Sequence, residues 1–453
     1  TSTTIYYGIH FIHKSTDRGN TWQIISPDLT TNDTSKQKQL ESGGLTYDVT
    51  TAENHCTIIA IAPSAVARGV IWVGTDDGNV QLTQDGGARW TKLTIKGVPD
   101  STWVPHIHPS GYNASEAFVV FDNHRRNDWT PYVFRTTNFG KSWTRLVDEK
   151  KVWGYTLSFV QDPVEPKLMF VGTEFGLYVS IDAGERWTKW RQGFPTVATT
   201  EILIHPNEHD LVIGTFGRAI YVLDDIRPLR ALARDGADIL DKRLHMFQVR
   251  DAALIEYKSA AGVLFSAEAG FDGENRPFGA TLSFVFNPDT SKQKRDEKKK
   301  KEEQIAKSTT DTSAAAPSDS VKFEILNAQG NVIRTFKAKV KKGINRVQWD
   351  LDRKGERWPS TPKPESGAPE EGGVPVLPGR YKARISYATF ADSADVAVKF
   401  DPRLNFSQED LIAKDAMRQE LLNRIRIATQ AADRLRDAKK TIEQIAGVIK
   451  DRE

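Results

Sequence analysis

Two neighbouring carboxylates, Asp76 and Asp77, stand in a Gly-Thr-x-x-Gly segment, and kindred segments recur with Glu174 and with Arg218. Between them the chain carries Asn123-His-Arg-Arg-Asn-Asp128, which puts His124, Arg125, Arg126 and Asp128 in one stretch. Acids and bases gathered at one polar mouth can bind a sugar or an acidic group. Two carboxylates at a suitable separation can also act as acid and as nucleophile or base in glycoside cleavage, and Asp77 and Glu174 are the candidates. His55, at the end of a long connection with Tyr47, Asp48, Glu53 and Asn54, is a candidate general acid or base. Trp103 and Trp129 are candidate platforms for sugar rings. The weightier alternative for the carboxylates is turn chemistry or ion pairs between sheets, and for His55 a hydrogen-bonded structural role. His106 and His108 alternate on one strand and are read as pointing opposite ways, so no metal is expected there.

Such a mouth needs hairpins that converge, and the sequence supplies them as a repeat. Ser15-Thr-Asp-Arg-Gly-Asn-Thr-Trp22, Thr83–Trp90, Thr136–Trp143 and Ser180–Trp187 all fit S/T-x-D/N-x-G-x-x-W. The side chains of Asp17, Asp85, Asn138 and Asp182 can bond turn amides, and the glycine supplies a positive φ. Trp22, Trp90, Trp143 and Trp187 then open the next strand and pack under the turn. Val73–Gly78, Val171–Gly176 and Ile213–Gly217 mark a second hairpin, flanked by apolar alternation that reads as strand. The unit is a four-stranded antiparallel propeller blade. It gives a partial blade over 1–50, full blades near 57–96, 103–147 and 152–190, and a last set of strands over 198–224. Alternate hairpins face opposite ways, so the four Asp/Asn turns are structural and the other hairpins form the mouth. The first blade is incomplete and the last set lacks an outer strand, so residues 1–225 read as the C-terminal part of a longer propeller. Missing N-terminal blades of the same protein are the expected partner, and completion by another polypeptide is the alternative.

These motifs resemble the BNR, or Asp-box, repeat. Together with Ile25-Ser-Pro-Asp-Leu-Thr30, Gly43-Gly-Leu-Thr-Tyr-Asp48, Gly172–Ser180 and Gly214–Asp225 they look like one branch of it: long bacterial proteins labelled glycosyl hydrolases, with sortilin-like or xyloglucanase-like propellers. The resemblance implies an extracytoplasmic protein with a signal peptide upstream. Phe216 stands where relatives commonly have His, so a role resting on that histidine is lost here. Sialidase chemistry is set aside, because no tyrosine–glutamate pair accompanies Arg125, Arg126 and Arg218.

The remainder reads as a β-sandwich of Ig-like type over 226–402, continuing in short strands from 226, with a disordered insertion at 287–320 and a Pro/Gly/Glu-rich loop at 359–378. A helical tail over 403–453 starts at the capping-box-like Ser407-Gln-Glu-Asp410, and Leu421, Ile425, Ala428, Ala432 and Leu435 form a stripe read as intramolecular packing. The fold class is therefore mainly all-β: a partial propeller, a sandwich and a terminal helix. A net charge of +3 with acids interleaving the lysines argues against nucleic acid. No apolar stretch is long enough to span a membrane as a helix. One cysteine, Cys56, excludes an internal disulfide, and no cofactor is expected. The functional expectation is recognition of glycan or extended peptide at the propeller mouth. Glycoside hydrolysis and scaffolding at the cell envelope are the alternatives.

Overall fold

The computed structural model describes residues 3–37, 55–255, 276–288, 320–364, 368–404 and 407–450. The expected segments at Gly43–Asp48 and Glu53–Asn54, and residues 289–319 of the expected insertion, lie outside them. The chain divides into two compact units, Thr1–Gly236 and Ala237–Glu453.

The first unit is a run of propeller blades. Strands β1 (Ile5–Gly8), β2 (Ile12–Ser15) and β3 (Gln23–Ile24) form blade I. Blade II holds β4 (Ile58–Pro63), β5 (Ile71–Thr75), β6 (Val80–Thr83) and β7 (Thr91–Leu93). Blade III holds β8 (Trp103–Pro109), β9 (Ala117–Asp122), β10 (Tyr132–Thr136) and β11 (Thr144–Arg145). Blade IV holds β12 (Thr156–Gln161), β13 (Met169–Thr173), β14 (Gly176–Ser180) and β15 (Thr188–Lys189). Blade V has three strands, β16 (Thr199–Ile204), β17 (Leu211–Thr215) and β18 (Ile220–Leu223). Each sheet is an antiparallel meander.

The repeated turns share one bonding scheme. Gly19 N donates to Ser15 Oγ at 2.8 Å and Thr21 N to Asp17 Oδ1 at 2.9 Å. The equivalent pairs are Gly87 with Thr83 and Arg89 with Asp85, Gly140 with Thr136 and Ser142 with Asn138, and Gly184 with Ser180 and Arg186 with Asp182. Hydrogen bonds from Thr21 and Ser15 hold the Asp17 carboxyl down at about 2. The glycine of each turn sits at positive φ, +93° at Gly19 and +90° at Gly184, a region that favours glycine.

The tryptophans reach further than their own turns. Trp90 Nε1 donates to Ile25 O of blade I at 2.9 Å, Trp143 meets Trp72 of blade II edge-on at 6.3 Å, and Trp187 packs on the cluster holding Leu146 and Val147 of blade III. Each of these indoles thus joins its blade to the preceding one, and Trp22 of blade I is 46% exposed. Glycines make the reverse contact. A Cβ on Gly74 of β5 would lie 2.5 Å from Val104 Cγ1 and one on Gly8 of β1 2.9 Å from Ile58 Cγ2, so these two strands lack a side chain where the next blade's inner strand presses in.

Residues 226–236 depart from the expected strands. Arg227–Asp235 is a helix, α1, with a proline at its start and Gly236 after its end. Ile226 and Ala233 are buried, and Leu229 packs partly buried, against blades IV and V. Arg230 is paired within blade IV to Asp162, at 2.9 Å, and to His209 of blade V. The propeller unit therefore runs to Gly236 rather than 225.

In the second unit two sheets share one apolar core. One holds β19 (Leu244–Met246), β21 (Ala280–Phe286) and β24 (Gly343–Trp349). The other runs in the order β20 (Ala252–Leu254), β28 (Phe390–Phe400), β27 (Gly379–Tyr387), β22 (Ser320–Leu326), β23 (Val332–Lys339). Phe284, Phe323, Trp349 and Ile385 are buried between them, the arrangement of a β-sandwich. The segment read as a loop at 359–378 contains a strand, β26 (Gly372–Pro375), paired with β25 (Asp352–Lys354). The strands lie so close there that neither Gly355, against Gly372 O, nor Gly373, against Gly355 Cα, admits a Cβ.

Helix α2 (Gln408–Lys450) is capped by Ser407, whose Oγ accepts from Asp410 N at 3.0 Å. It docks on its own unit through Ile425, Thr429 Oγ1 to Arg357 O, and the Arg353–Asp415 and Arg357–Asp433 ion pairs. Intramolecular packing covers only part of the expected stripe: Ile425 is 9% exposed, while Leu421 and Leu435 are 57% and 73% exposed. The inward positions follow Leu411, Asp415, Leu422, Ile425 and Thr429, a seam that mixes apolar and charged groups. No helix among the described residues is long and apolar enough to cross a membrane.

Candidate functional site

The hairpins between second and third strands, with the connections leading to each next inner strand, share the propeller face opposite the repeated turns. Blade II contributes Asp76 and Asp77, but both are buried. Asp76 Oδ1 accepts from Thr57 N at 2.7 Å, and burial pushes its carboxyl up, with nearby His55 and the backbone donors opposing. Asp77 Oδ2 accepts from Thr31 N at 2.6 Å and Thr31 Oγ1 at 2.8 Å, and Oδ1 accepts from Thr75 Oγ1. Burial pushes the Asp77 carboxyl up, yet these donors outweigh it and hold it below the usual carboxylate range. Such a carboxylate is a staple between blade II and the chain leaving blade I. At 2% exposed, it is held inside the fold. His55 sits beside Asp76 with Nε2 enclosed and unbonded.

Blades III and IV bring the other candidates together. Trp103 opens the inner strand β8 directly opposite Asp122, the last residue of β9. The chain then turns through a short 3-10 segment, His124–Arg126, which folds two of its side chains back on that carboxylate. His124 Nδ1 lies 2.6 Å from Asp122 Oδ1, and Arg125 Nη1 donates to Asp122 Oδ2 at 3.3 Å. The Arg125 guanidinium lies 3.8 Å over the Trp103 ring, a cation–π contact. Arg126 turns away to the carbonyl of Asp100. His124 stacks on Tyr155, the residue before β12, with centroids 4.3 Å apart and planes 16° apart.

Glu174 completes the group from the blade IV hairpin. Its amide donates to Tyr155 O at 3.1 Å, and its Oε2 is enclosed without a hydrogen-bond partner. Burial raises the Tyr155 phenol, the Glu174 and Asp122 charges raise it further, and Arg125 opposes. The phenol is thus a neutral hydroxyl at physiological pH. With Nδ1 turned to Asp122, His124 keeps Nε2 as its working nitrogen, on a side chain 28% exposed. Asp122 fixes the imidazole as a carboxylate orients a general base. The set offers one imidazole, one phenol, one carboxylate oxygen with spare capacity and one stacked guanidinium.

The segments flanking these residues in the chain line a groove of about 600 Å³, with Asp128, Trp129, Glu149, Trp153, Gly154 and Phe175 among its walls. Trp129 and Trp153 are 48% and 62% exposed. Trp153 stacks on Phe175 at 4.1 Å and 19°, and Lys189 Nζ lies 5.6 Å from its ring centre. Asp128 is occupied: burial opposes, but bonds from Asn123, Thr130 and Tyr132 hold its carboxyl below the ordinary value. Arg218 is exposed on the blade V hairpin and joins none of these groups, and its neighbour Phe216 is 79% exposed.

The face therefore gathers His124, Arg125 and Glu174 of the expected set, and sets Asp76, Asp77, Arg126 and Arg218 apart from them. Reading the sequence missed Asp122, Tyr155, Trp153, Phe175 and Glu149. Asp122 carried a faint signal, a lone acid closing an otherwise apolar strand. The rings of His106 and His108 both turn toward β12 rather than opposite ways: His106 bonds the Phe159 backbone and His108 lies 5.9 Å from the Phe159 ring. Residues two apart on a strand share a face. Burial lowers both, His108 to about 3, so both rings are neutral.

No family model matches the chain. Over 115 residues it is 28% identical to the oligoxyloglucan-reducing end-specific xyloglucanase of Emericella nidulans, a match covering 23% of this chain and 13% of that protein. Solved structures similar in part include the Niastella koreensis GH74 enzyme, at 14% identity over 87% of this chain and 55% of that one, TM-score 0.36. The GH74 xyloglucanase of Xanthomonas campestris matches at 12% identity over 51% and 35%, TM-score 0.35. YCF48 from Cyanidioschyzon merolae matches at 16% over 37% and 56%, TM-score 0.26. The chain thus spans only a small part of the xyloglucanase and at most about half of these structures.

Proposed function

We propose that the blade III–blade IV face binds a glycan, with the groove of Trp129 and Trp153 as its platform and the Asp122–His124–Tyr155–Glu174 cluster as its polar end. The observation that carries this reading is the pair of exposed indoles in one groove whose lining also holds Asn127, Asp128, Thr130 and Glu149. Flat apolar rings cover the C–H face of a sugar while the polar groups bond its hydroxyls. The partial likeness to a xyloglucanase supports a neutral plant or microbial polysaccharide as ligand, and an extracytoplasmic setting. An extended peptide is a poorer fit, since the groove offers rings rather than a free strand edge.

A second reading, glycoside hydrolysis, is favoured by Glu174, a half-buried carboxylate whose Oε2 lacks a hydrogen-bond partner, and by the oriented His124. Affinity electrophoresis of the chain through gels holding single polysaccharides tests the first reading. At least one polysaccharide retards the chain, and Trp129→Ala weakens that retention about tenfold, near 1.4 kcal/mol. No retardation by any polysaccharide overturns glycan binding. Release of reducing ends that Glu174→Gln abolishes, with retention kept, establishes the hydrolase.

A further inference from the structure

The second unit holds a cavity of its own, of about 260 Å³, between the sandwich and the first turns of α2. Leu254, Phe278, Val376, Phe400, Leu404 and Leu411 make its walls apolar, and Asp410, Lys414, Asp415 and Arg418 bring charge to it from the helix. Leu411, Lys414, Asp415 and Arg418 stand at helical spacings of three, four and seven, so one face of α2 carries them all. The two carboxylates are consumed. Asp410 accepts from Ser407 Oγ at 2.7 Å in the helix cap, and Asp415 Oδ2 accepts from Arg353 Nη2 at 3.1 Å. The carbonyl of Leu377, on the same wall, is also taken, by the Tyr381 hydroxyl at 2.7 Å. The two cations are free. Neither Lys414 nor Arg418 has a hydrogen bond or an ion pair among the described residues, and Arg418 is half-buried. A guanidinium withdrawn from water without a counter-ion is costly to keep, and an anion seated beside it removes that cost.

We propose that this cavity binds a medium-chain carboxylate, its apolar tail between the walls and its head on Arg418 and Lys414. The size follows from the volume: at about 30 Å³ for a water-sized group, the cavity takes a chain of about nine carbons. The tail is driven in by burial of its methylenes. The head is chosen by charge, since the neighbouring acids are neutralised and the bases are not, and by shape, since a planar guanidinium meets a carboxylate with two parallel bonds. A sugar fits poorly, because the walls hold apolar side chains and the polar groups on them are already bonded. The site shares no residue with the propeller groove, so it does not rest on glycan binding.

Titration calorimetry of the full chain with sodium octanoate tests this, with 1-octanol as the neutral arm. Octanoate is expected to bind at one site per chain and about tenfold more tightly than octanol, the worth of one charge-assisted bond. Lys414→Gln together with Arg418→Gln is expected to abolish that preference while leaving octanol binding as it was, which also shows that the cavity is intact. Leu404→Trp, which fills the cavity, is expected to weaken both ligands by about tenfold or more. The proposal is overturned by an absence of octanoate binding, by equal affinities for octanoate and octanol, by a double variant that keeps the preference, or by a Leu404→Trp chain that binds as the parent does.

Discussion

At the scale of single residues, the carboxylates divide into those consumed by the fold and those left to a ligand. Asp77 is consumed. Asp77→Ala strands the Thr31 amide and hydroxyl and is expected to cost about 2–3 kcal/mol, measured as a shift in urea midpoint. Its folded-state pKa lies below the ordinary 3.8, so its contribution to stability is full above that value and disappears as pH falls through the folded one. An acid titration of unfolding should therefore show an Asp77-dependent loss below about pH 4, absent in Asp77→Asn. Glu174, whose Oε2 has no partner, is the acid of the proposed glycan site, and on that reading Glu174→Gln should leave the urea midpoint within about 0.5 kcal/mol while changing activity or affinity. Sequence alone ranked Asp77 and Glu174 together. Only the Thr31 contact, 46 residues away, separates them, and no local pattern announces it.

At the scale of elements, the blades were legible because each turn repeats its donors and acceptors within eight residues. The three-fold recurrence of Val/Ile-Gly-Thr likewise located second strands. Asp182→Ala is expected to cost about 1 kcal/mol through loss of the Arg186 amide bond. Gly74→Ala should cost about 3 kcal/mol, for a reason the sequence conceals: φ is ordinary there, and the obstacle is Val104 of the next blade. Thermal unfolding of the two variants separates the local from the inter-blade term. Helix α1 was not legible, because its nine residues follow a strand and its burial depends on Arg230 reaching Asp162, 68 positions earlier. Arg230→Met leaves the Asp162 carboxylate buried without its cation and should destabilise the unit by about 3–5 kcal/mol. The pairing of Gly372–Pro375 escaped notice in the same way, hidden in a segment whose composition reads as loop.

At the scale of the whole molecule, one unit presents a repeated face and the other a sandwich with a long docked helix. The mouth was anticipated as a ring of hairpins; the structure concentrates it between blades III and IV, where a short helical turn folds His124 and Arg125 onto Asp122. Aromatic residues decide its character, and tryptophans in connections carry no periodicity that would separate platform from packing. Trp143 and Trp187 are structural and Trp129 and Trp153 are exposed, a distinction that only burial makes. On the proposed reading, glycan lies in that groove. Hydroxyl-radical footprinting of the chain with and without a retarding polysaccharide measures this most directly. Reduced oxidation of Trp129, Trp153 and Phe175 is expected, with Trp22 on blade I unaltered. Unchanged oxidation of those three residues, or protection confined to other blades, would contradict it.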